Sequence, residues 1–200
     1  PTVTHDQNGY LGEWILRTHP QTRETQIVAT HPIAKHTIPC SALDPKRMIF
    51  YGGTAVGRDA PNQKIQFFAF DLKTRKLLLV ADDGPYRVLI FSPSTGKVFW
   101  EGKCYDPESN TITASNVPNV RSATRETPQG MVYGTSGTQA DLWAFDVKSG
   151  AVRQLGNCGV ARQEYIASLE ADPSGKYLYY VPGAHGGAAA DGTPVVQYEI

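Results

Sequence analysis

The fold of this chain is decided by residues 48–80, which read MIFYGGTAVGRDAPNQKIQFFAFDLKTRKLLLV. Three apolar runs of strand length are separated by a polar loop after Gly52-Gly53 and by a turn that begins at Asp71. Short apolar and aromatic runs bounded by glycine and turn residues are typical of strands rather than helices. The stretch therefore predicts three strands joined as an antiparallel meander.

The same pattern recurs in residues 131–155, where MVYGTSG is followed by a short loop and by DLWAFDVKSGAVRQL. The tetrads at residues 69–72 (AFDL) and 144–147 (AFDV) nearly coincide. A strand unit that repeats along a chain is the sequence signature of a propeller. We therefore predict an all-β fold, a β-propeller built from four-stranded antiparallel meander blades.

Two families of turns mark the strand boundaries. In the first family, an Asp, Ser or Thr side chain accepts a local backbone hydrogen bond, and the proline that follows it presets φ. Its members begin at Asp44, Ser92, Thr127 and Asp172. Their spacings of 48, 35 and 45 residues are close to the periods of about 40 to 50 residues found in propeller repeats. We place them between the first and second strands of each blade.

The second family of turns is placed between third and fourth strands, and its members begin at Asp71, Asp106 and Asp146. Together the turns predict one propeller domain over residues 1–200. Its predicted parts are a partial blade at 1–35, blades at 36–83, 84–118 and 119–163, and an incomplete blade at 164–200.

The predicted number of strands leaves two arrangements. The first strands can complete the last blade in a small four-bladed ring, or the chain is an incomplete ring or a fragment of a larger propeller. We favour the second arrangement. An unclosed ring exposes strand edges, which pair readily with another chain. We therefore also predict self-association through open strand edges.

Residues 41–155 resemble kelch-type propeller repeats in the strand that ends at Gly52-Gly53, in Phe70 before Asp71, and in the turn that follows. The order Ala-x-Asp-x-x-Ser/Thr at 69–74 and 144–149 is similar to quinoprotein-type propeller repeats. The tryptophan that those repeats place after the turn is replaced by Leu79 and Gln154. The resemblance implies a propeller of this general kind. Since several polysaccharide lyases are propellers, it also favours activity on carbohydrate.

The charge balance and the absence of motifs exclude several function classes. Lys plus Arg equals Asp plus Glu at 19 each, so the chain lacks the basic footprint of a nucleic-acid or membrane-surface protein. No apolar run approaches the roughly 20 residues of a membrane span. We find no phosphate-binding loop, nucleophile elbow or metal-ligand spacing. We therefore predict no cofactor, no metal, no nucleic acid and no membrane partner.

The cysteines leave the redox state and the compartment open. Cys40, Cys104 and Cys158 are odd in number and far apart, which predicts buried thiols, with one disulfide as the alternative. For the compartment, a periplasmic or secreted location is favoured over a cytoplasmic one.

The candidate site lies on the face that carries the longer and more variable loops. Aligning the repeats by their proline turns brings polar residues to the start of each innermost strand. They are His36, Tyr86, Arg87, Asn119, Arg121, Glu164 and Tyr165, and His185 lies in the glycine-rich loop 182–194. These side chains are predicted to converge at the mouth of a central channel.

Two functions compete for these residues. In the first, Arg87, Arg121, Asn119 and Glu164 bind an anionic oligosaccharide, and Tyr86, Tyr165, His36 and His185 supply base and acid for β-elimination at a uronic acid. In the second, the protein is a non-catalytic scaffold that binds a partner protein, the arginines knit neighbouring blades together, and His36 makes local hydrogen bonds. A lyase needs these groups around one cavity, whereas a scaffold leaves them paired with neighbours. We predict the carbohydrate function first.

Overall fold

The computed structural model describes residues 11–56, 64–137, 140–160, 165–183 and 194–200. These residues form seventeen β-strands and no helix, so the all-β class is confirmed. Every strand pair is antiparallel, and neighbours in a sheet are neighbours in the chain, as a meander requires. Since no helix occurs in the described ranges, none there could cross a membrane. The chain divides into two compact units, Pro1–Leu89 and Ile90–Ile200.

The first unit contains a two-stranded ribbon and a four-stranded sheet. The ribbon pairs β1 (Trp14–Thr18) with β2 (Thr25–Thr30). The strands of the sheet, in spatial order, are β3 (His36–Asp44), β4 (Ile49–Val56), β5 (Gln66–Asp71) and β6 (Lys76–Asp82). Ile15 of the ribbon belongs to one hydrophobic cluster with Ile38, Phe68 and Phe70. One face of the ribbon therefore covers one face of this sheet.

The second unit contains three sheets. Its first sheet is formed by β7 (Ile90–Phe91), β8 (Val98–Trp100), β9 (Lys103–Asp106) and β10 (Thr111–Ala114). The next is formed by β11 (Ser122–Ala123), β12 (Met131–Ser136), β13 (Asp141–Asp146) and β14 (Val152–Asn157). The third is formed by β15 (Ile166–Ala171), β16 (Tyr177–Pro182) and β17 (Val196–Glu199).

The sheets of the second unit are joined through buried side chains. Phe99 of the first sheet meets Phe145 of the next, edge to face, with ring centroids 5.1 Å apart. Leu142 in turn shares a core cluster with Leu169 and Leu178 of the third sheet. Faces of successive sheets therefore bury one another, which is how meander blades stack in a propeller.

The aspartate turns form as the sequence predicts. Asp71 Oδ1 accepts the backbone N–H groups of Lys73 at 2.7 Å and Thr74 at 3.1 Å. Asp146 makes the same pair of bonds one repeat later, at 2.9 and 3.1 Å. Because these bonds favour the charged carboxylate, they lower the pKa of both aspartates. The turns join β5 to β6 and β13 to β14, so the placement between third and fourth strands is confirmed.

The two turn families lie at one end of their sheet. Leu72 N–H donates to Met48 O at 2.9 Å, which links the two turns of the sheet β3–β6. Val147 N–H donates to Gly130 O at 3.1 Å in the sheet β11–β14. Each of these two sheets therefore carries its turn between the first and second strands and its turn between the third and fourth strands at the same end.

Two glycines of the repeats make room for aromatic rings. Gly52 lies opposite Phe68 in the register of β4 and β5, and Gly134 lies opposite Trp143 in that of β12 and β13. A Cβ on Gly52 would lie 2.2 Å from a ring carbon of Phe68, and a Cβ on Gly134 would lie 2.2 Å from the indole of Trp143. The glycines are thus required by the close approach of a ring, not by turn geometry.

The three cysteines are buried thiols, and the disulfide alternative is not realised. Cys158 Sγ lies 3.1 Å from Ala140 O, and Cys40 Sγ lies 3.5 Å from Pro85 O. Burial raises the pKa of Cys104, and it raises that of Cys158 to about 11. These groups therefore act as small core side chains.

Candidate functional site

The structure describes six of the predicted site residues and leaves Glu164 and His185 outside the described ranges. His36, Tyr86 and Arg87 belong to the first unit, whereas Asn119, Arg121 and Tyr165 belong to the second. Each group is therefore considered within its own unit.

His36 begins β3 and is 4% exposed. Its Nδ1 lies 2.8 Å from Ala34 O, and its Nε2 lies 3.0 Å from Lys64 O. Both partners are main-chain carbonyl oxygens, so the ring contacts the backbone on two sides. The ring ties the start of β3 to residue 64, next to the start of β5. This is the local hydrogen bonding that the scaffold alternative expects of His36.

Tyr86 and Arg87 form an exposed pair. The Arg87 guanidinium carbon lies 5.2 Å from the centroid of the Tyr86 ring, and Tyr86 is 45% exposed. A cation–π contact of this exposed kind contributes about 0.5 to 1 kcal/mol. The pair therefore presents an aromatic face and a positive charge side by side at the surface.

The residues just before this pair are held tightly. Gly84 N–H donates to Ile65 O at 3.2 Å, and a Cβ on Gly84 would lie 2.0 Å from the backbone carbon of Gln66. Pro85 is buried against Cys40. This backbone-to-backbone approach requires glycine at position 84, and it gives the exposed pair a rigid base.

Arg121 stacks on Tyr165 in the second unit, with the guanidinium carbon 4.0 Å from the ring centroid. Each residue directly precedes the innermost strand of its sheet, β11 and β15. The backbone of Arg121 donates to Thr135 O, and Tyr165 O accepts from Gly183 N–H, both at 2.7 Å. The predicted clamp and the predicted base therefore contact one another and join two sheets.

Asn119 is exposed, and its backbone carbonyl accepts from Ser136 Oγ at 2.8 Å. The same hydroxyl accepts from the indole of Trp143 at 2.9 Å. The backbone just before β11 is thus linked through the Ser136 hydroxyl to Trp143, the ring that packs against Gly134. The described residues contain no group of three or more His, Cys, Asp or Glu arranged to hold a metal ion.

Trp14 is an exposed aromatic residue that the sequence analysis did not single out. It is 50% exposed, and its indole N–H donates to His31 Nε2 at 3.1 Å. Leu16 and Ile27, opposite one another on the ribbon, are 50% and 47% exposed. The run Trp14-Ile15-Leu16 lacks the alternation of apolar and polar residues that a strand with one solvated face shows, so no signal in the sequence pointed to this exposure.

The chain is similar in structure to the β-propeller domain of Cps50 (Swd1) from Myceliophteria thermophila, with a TM-score of 0.60 at 12% sequence identity. The match covers 94% of this chain and 63% of that one, so the chain spans less than two thirds of the solved domain. No protein-family model matches the chain, and no curated protein matches it in sequence.

At this identity the likeness shows the fold alone: the chain is a β-propeller of antiparallel meander blades, as the sequence predicts. The kelch-type and quinoprotein-type assignments stay predictions. In all, 440 solved chains match in structure. Because so widespread a fold serves many functions, it does not select one.

Proposed function

We propose that the protein is a non-catalytic scaffold for protein–protein interactions. The observation that supports this is that the described candidates contact their own neighbours: His36 faces two main-chain carbonyls, and Arg121 stacks on Tyr165. A lyase holds base, acid and carboxylate clamp around one sugar, within hydrogen-bond reach of the reacting atoms. The contacts of His36 and Arg121 favour a structural role for these side chains instead.

The loop that carries Tyr86 and Arg87 is the candidate contact surface. Tyrosine and arginine, with tryptophan, are the residue types enriched among the side chains that contribute most binding energy in protein interfaces. Their base at Gly84 and Pro85 is rigid, so little order has to be gained on binding. Since the chain has no net charge, aromatic and local contacts rather than long-range steering would provide the affinity.

The test compares wild type with a Tyr86→Ala/Arg87→Ala variant. Proteins retained by the immobilised wild type from an extract of the source cells are identified, purified and titrated calorimetrically against both forms. We expect at least a tenfold loss of affinity in the double variant for a true partner. A matched control, Leu43→Ala, removes an exposed apolar side chain elsewhere and should bind normally. Partners that bind the double variant at full affinity would exclude this surface.

Binding of an anionic carbohydrate is the second candidate, and the same exposed pair favours it. An aromatic face can stack on a sugar ring, and a neighbouring guanidinium can bind a carboxylate. Arg87→Ala is the cleaner substitution, because Arg121→Ala would also remove the contact with Tyr165. If this candidate is right, wild type binds a defined oligouronate and Arg87→Ala does not. The absence of binding by wild type, and of the ultraviolet absorbance of an unsaturated uronate product, would exclude it.

A further inference from the structure

Burial along the strands shows which sheet faces are covered. Residues 67–70 of β5 and 142–145 of β13 are buried without interruption, so both faces of these strands are covered. In β16 burial alternates, with Leu178 and Tyr180 buried but Tyr179 and Val181 exposed. In β1, Ile15 is buried between two exposed residues. The ribbon and the sheet β15–β17 therefore each keep one open face.

The open face of the ribbon, called the ribbon face, consists of three cross-strand pairs: Trp14 with Thr30, Leu16 with Ile27, and Thr18 with Thr25. The three large apolar side chains are each about half exposed. Trp14 is held in place by its hydrogen bond to His31, with the two rings edge to face at 6.4 Å. A large aromatic ring that is already ordered is the kind of anchor that dominates interface energetics.

The open face of the other sheet, called the tyrosine face, consists of Tyr177, Tyr179, Val181, Glu170 and Glu199. Tyr179 lies between Glu170 and Gln197 in register, and its hydroxyl lies 3.3 Å from Gln197 Oε1. Tyr177 lies opposite Glu199. The face is thus aromatic at its centre and acidic at its margins.

We propose that the ribbon face of one copy packs on the tyrosine face of a second copy. The charged residues near the two faces favour this pairing over a contact between two like faces. In the turn and the segment that adjoin the ribbon, Arg23 and Lys35 outnumber Glu24 among the exposed charged residues. On the tyrosine face, Glu170 and Glu199 outnumber Lys176, which already lies 3.4 Å from Glu199.

Either face pressed against its own copy would bring like charges together, which costs affinity, whereas the unlike faces attract. The contact would also cover the open face of the ribbon and that of the sheet β15–β17, so that both faces of each would be buried, as they are in β5 and β13. It uses residues other than Tyr86 and Arg87 and goes beyond the scaffold proposal. The two proposals can therefore fail independently.

The first experiment measures mass against concentration by sedimentation, together with acrylamide quenching of tryptophan fluorescence. Trp14 is the exposed tryptophan, because Trp100 and Trp143 are fully buried, so quenching reports on the ribbon face. We expect the mass to rise above one copy and quenching to fall over the same concentration range. A single-copy mass at the highest concentration would overturn the proposal.

The second experiment tests that the contact is between unlike faces. Trp14→Glu disables the ribbon face, and Tyr179→Glu disables the tyrosine face. Each variant alone should remain a single copy, but an equimolar mixture should form a complex of two chains, because one intact face of each kind remains. A mixture that stays single-copy would overturn the proposal, as would either variant associating like wild type.

Two controls accompany these variants. Leu43→Glu places the same charge on a side chain that is 48% exposed and lies on neither face, so it should associate like wild type. Circular dichroism checks that each variant is folded, and the milder pair Trp14→Ala and Tyr179→Ser repeats the mixing experiment should a glutamate variant unfold. Restoration of association in the mixture of folded variants supports the proposal, and its absence overturns it.

Discussion

Glycine opposite an aromatic ring is the residue-scale feature that the two best-matched repeats share. We predict that Gly134→Ala lowers the free energy of unfolding by about 1 to 3 kcal/mol, the usual cost of overpacking a well-filled core, because its Cβ would lie 2.2 Å from the Trp143 indole. Urea denaturation measures the change. Gly150→Ala measures the cost of backbone strain without a clash, since position 150 has φ of 73° and no atom within 4 Å of a Cβ, whereas Gly134 has the clash without a positive φ. An unchanged midpoint for Gly134→Ala would contradict this account.

Asp172 predicts a pH dependence of stability. The Ser174 hydroxyl and the Tyr177, Ser174 and Lys176 backbone groups donate to its carboxylate and lower its pKa from 3.8 to about 2. Because the folded pKa is depressed, the stabilisation is present above about pH 4 and is lost as the pH falls towards 2. Unfolding free energies of wild type and Asp172→Asn, measured across this interval, should converge as the pH is lowered. Parallel curves would rule out this contribution.

These residues also show what local sequence can and cannot predict. The turn at Asp71 was predictable because an aspartate and its acceptor bonds lie within three residues. The contact of His36 with Lys64 O spans 28 residues, and no local pattern contains it. Gly52 and Phe68 are 16 residues apart, whereas Gly134 and Trp143 are nine apart. The intervening loops differ in length, so the shared feature is visible only once strand register is known.

At the scale of elements, Glu126 fastens one sheet of the second unit to the next. Its Oε2 accepts from Ser92 Oγ at 2.8 Å and from Ser94 N–H at 3.2 Å, both in the turn between β7 and β8. Glu126→Ala should destabilise by about 1.5 to 3 kcal/mol, the usual size of a hydrogen bond to a charged group, and should speed amide exchange at Ser94. Glu24→Ala, on the exposed ribbon turn, is the matched control. Unchanged Ser94 exchange would contradict the assigned bond.

The elements themselves were largely predictable, whereas the contacts made by the candidate site residues were not. Strand order followed from turn chemistry and alternation, which act within a few residues. The site rested on where side chains point at the end of each innermost strand. Arg121 and Tyr165 do meet, but which neighbour a side chain chooses depends on packing between sheets. The sequence also did not indicate that Trp14 would be exposed, because Trp14-Ile15-Leu16 reads as a strand covered on both faces.

At the scale of the whole molecule, the balance of 19 basic and 19 acidic residues predicts a solubility minimum near neutral pH, since molecules without net charge repel one another least. Precipitation by polyethylene glycol, measured across the pH range, should show this minimum. Lys73→Glu, on an exposed turn, should move the minimum to lower pH by making the chain net negative. Solubility that does not respond to pH would show that local patches, rather than net charge, govern association.

The buried thiols allow the opening of the native fold to be measured through their own chemical reactivity. An alkylating reagent reacts with a thiolate on an accessible sulfur, and Cys40, Cys104 and Cys158 are each less than 10% exposed in the native chain. The raised pKa of Cys104 and of Cys158 slows reaction further while the fold is intact. Cys40 lies in the first unit, and the other two lie in the second. The rate at which alkylation adds mass to each cysteine-containing peptide would therefore measure how often each unit opens, without any introduced label.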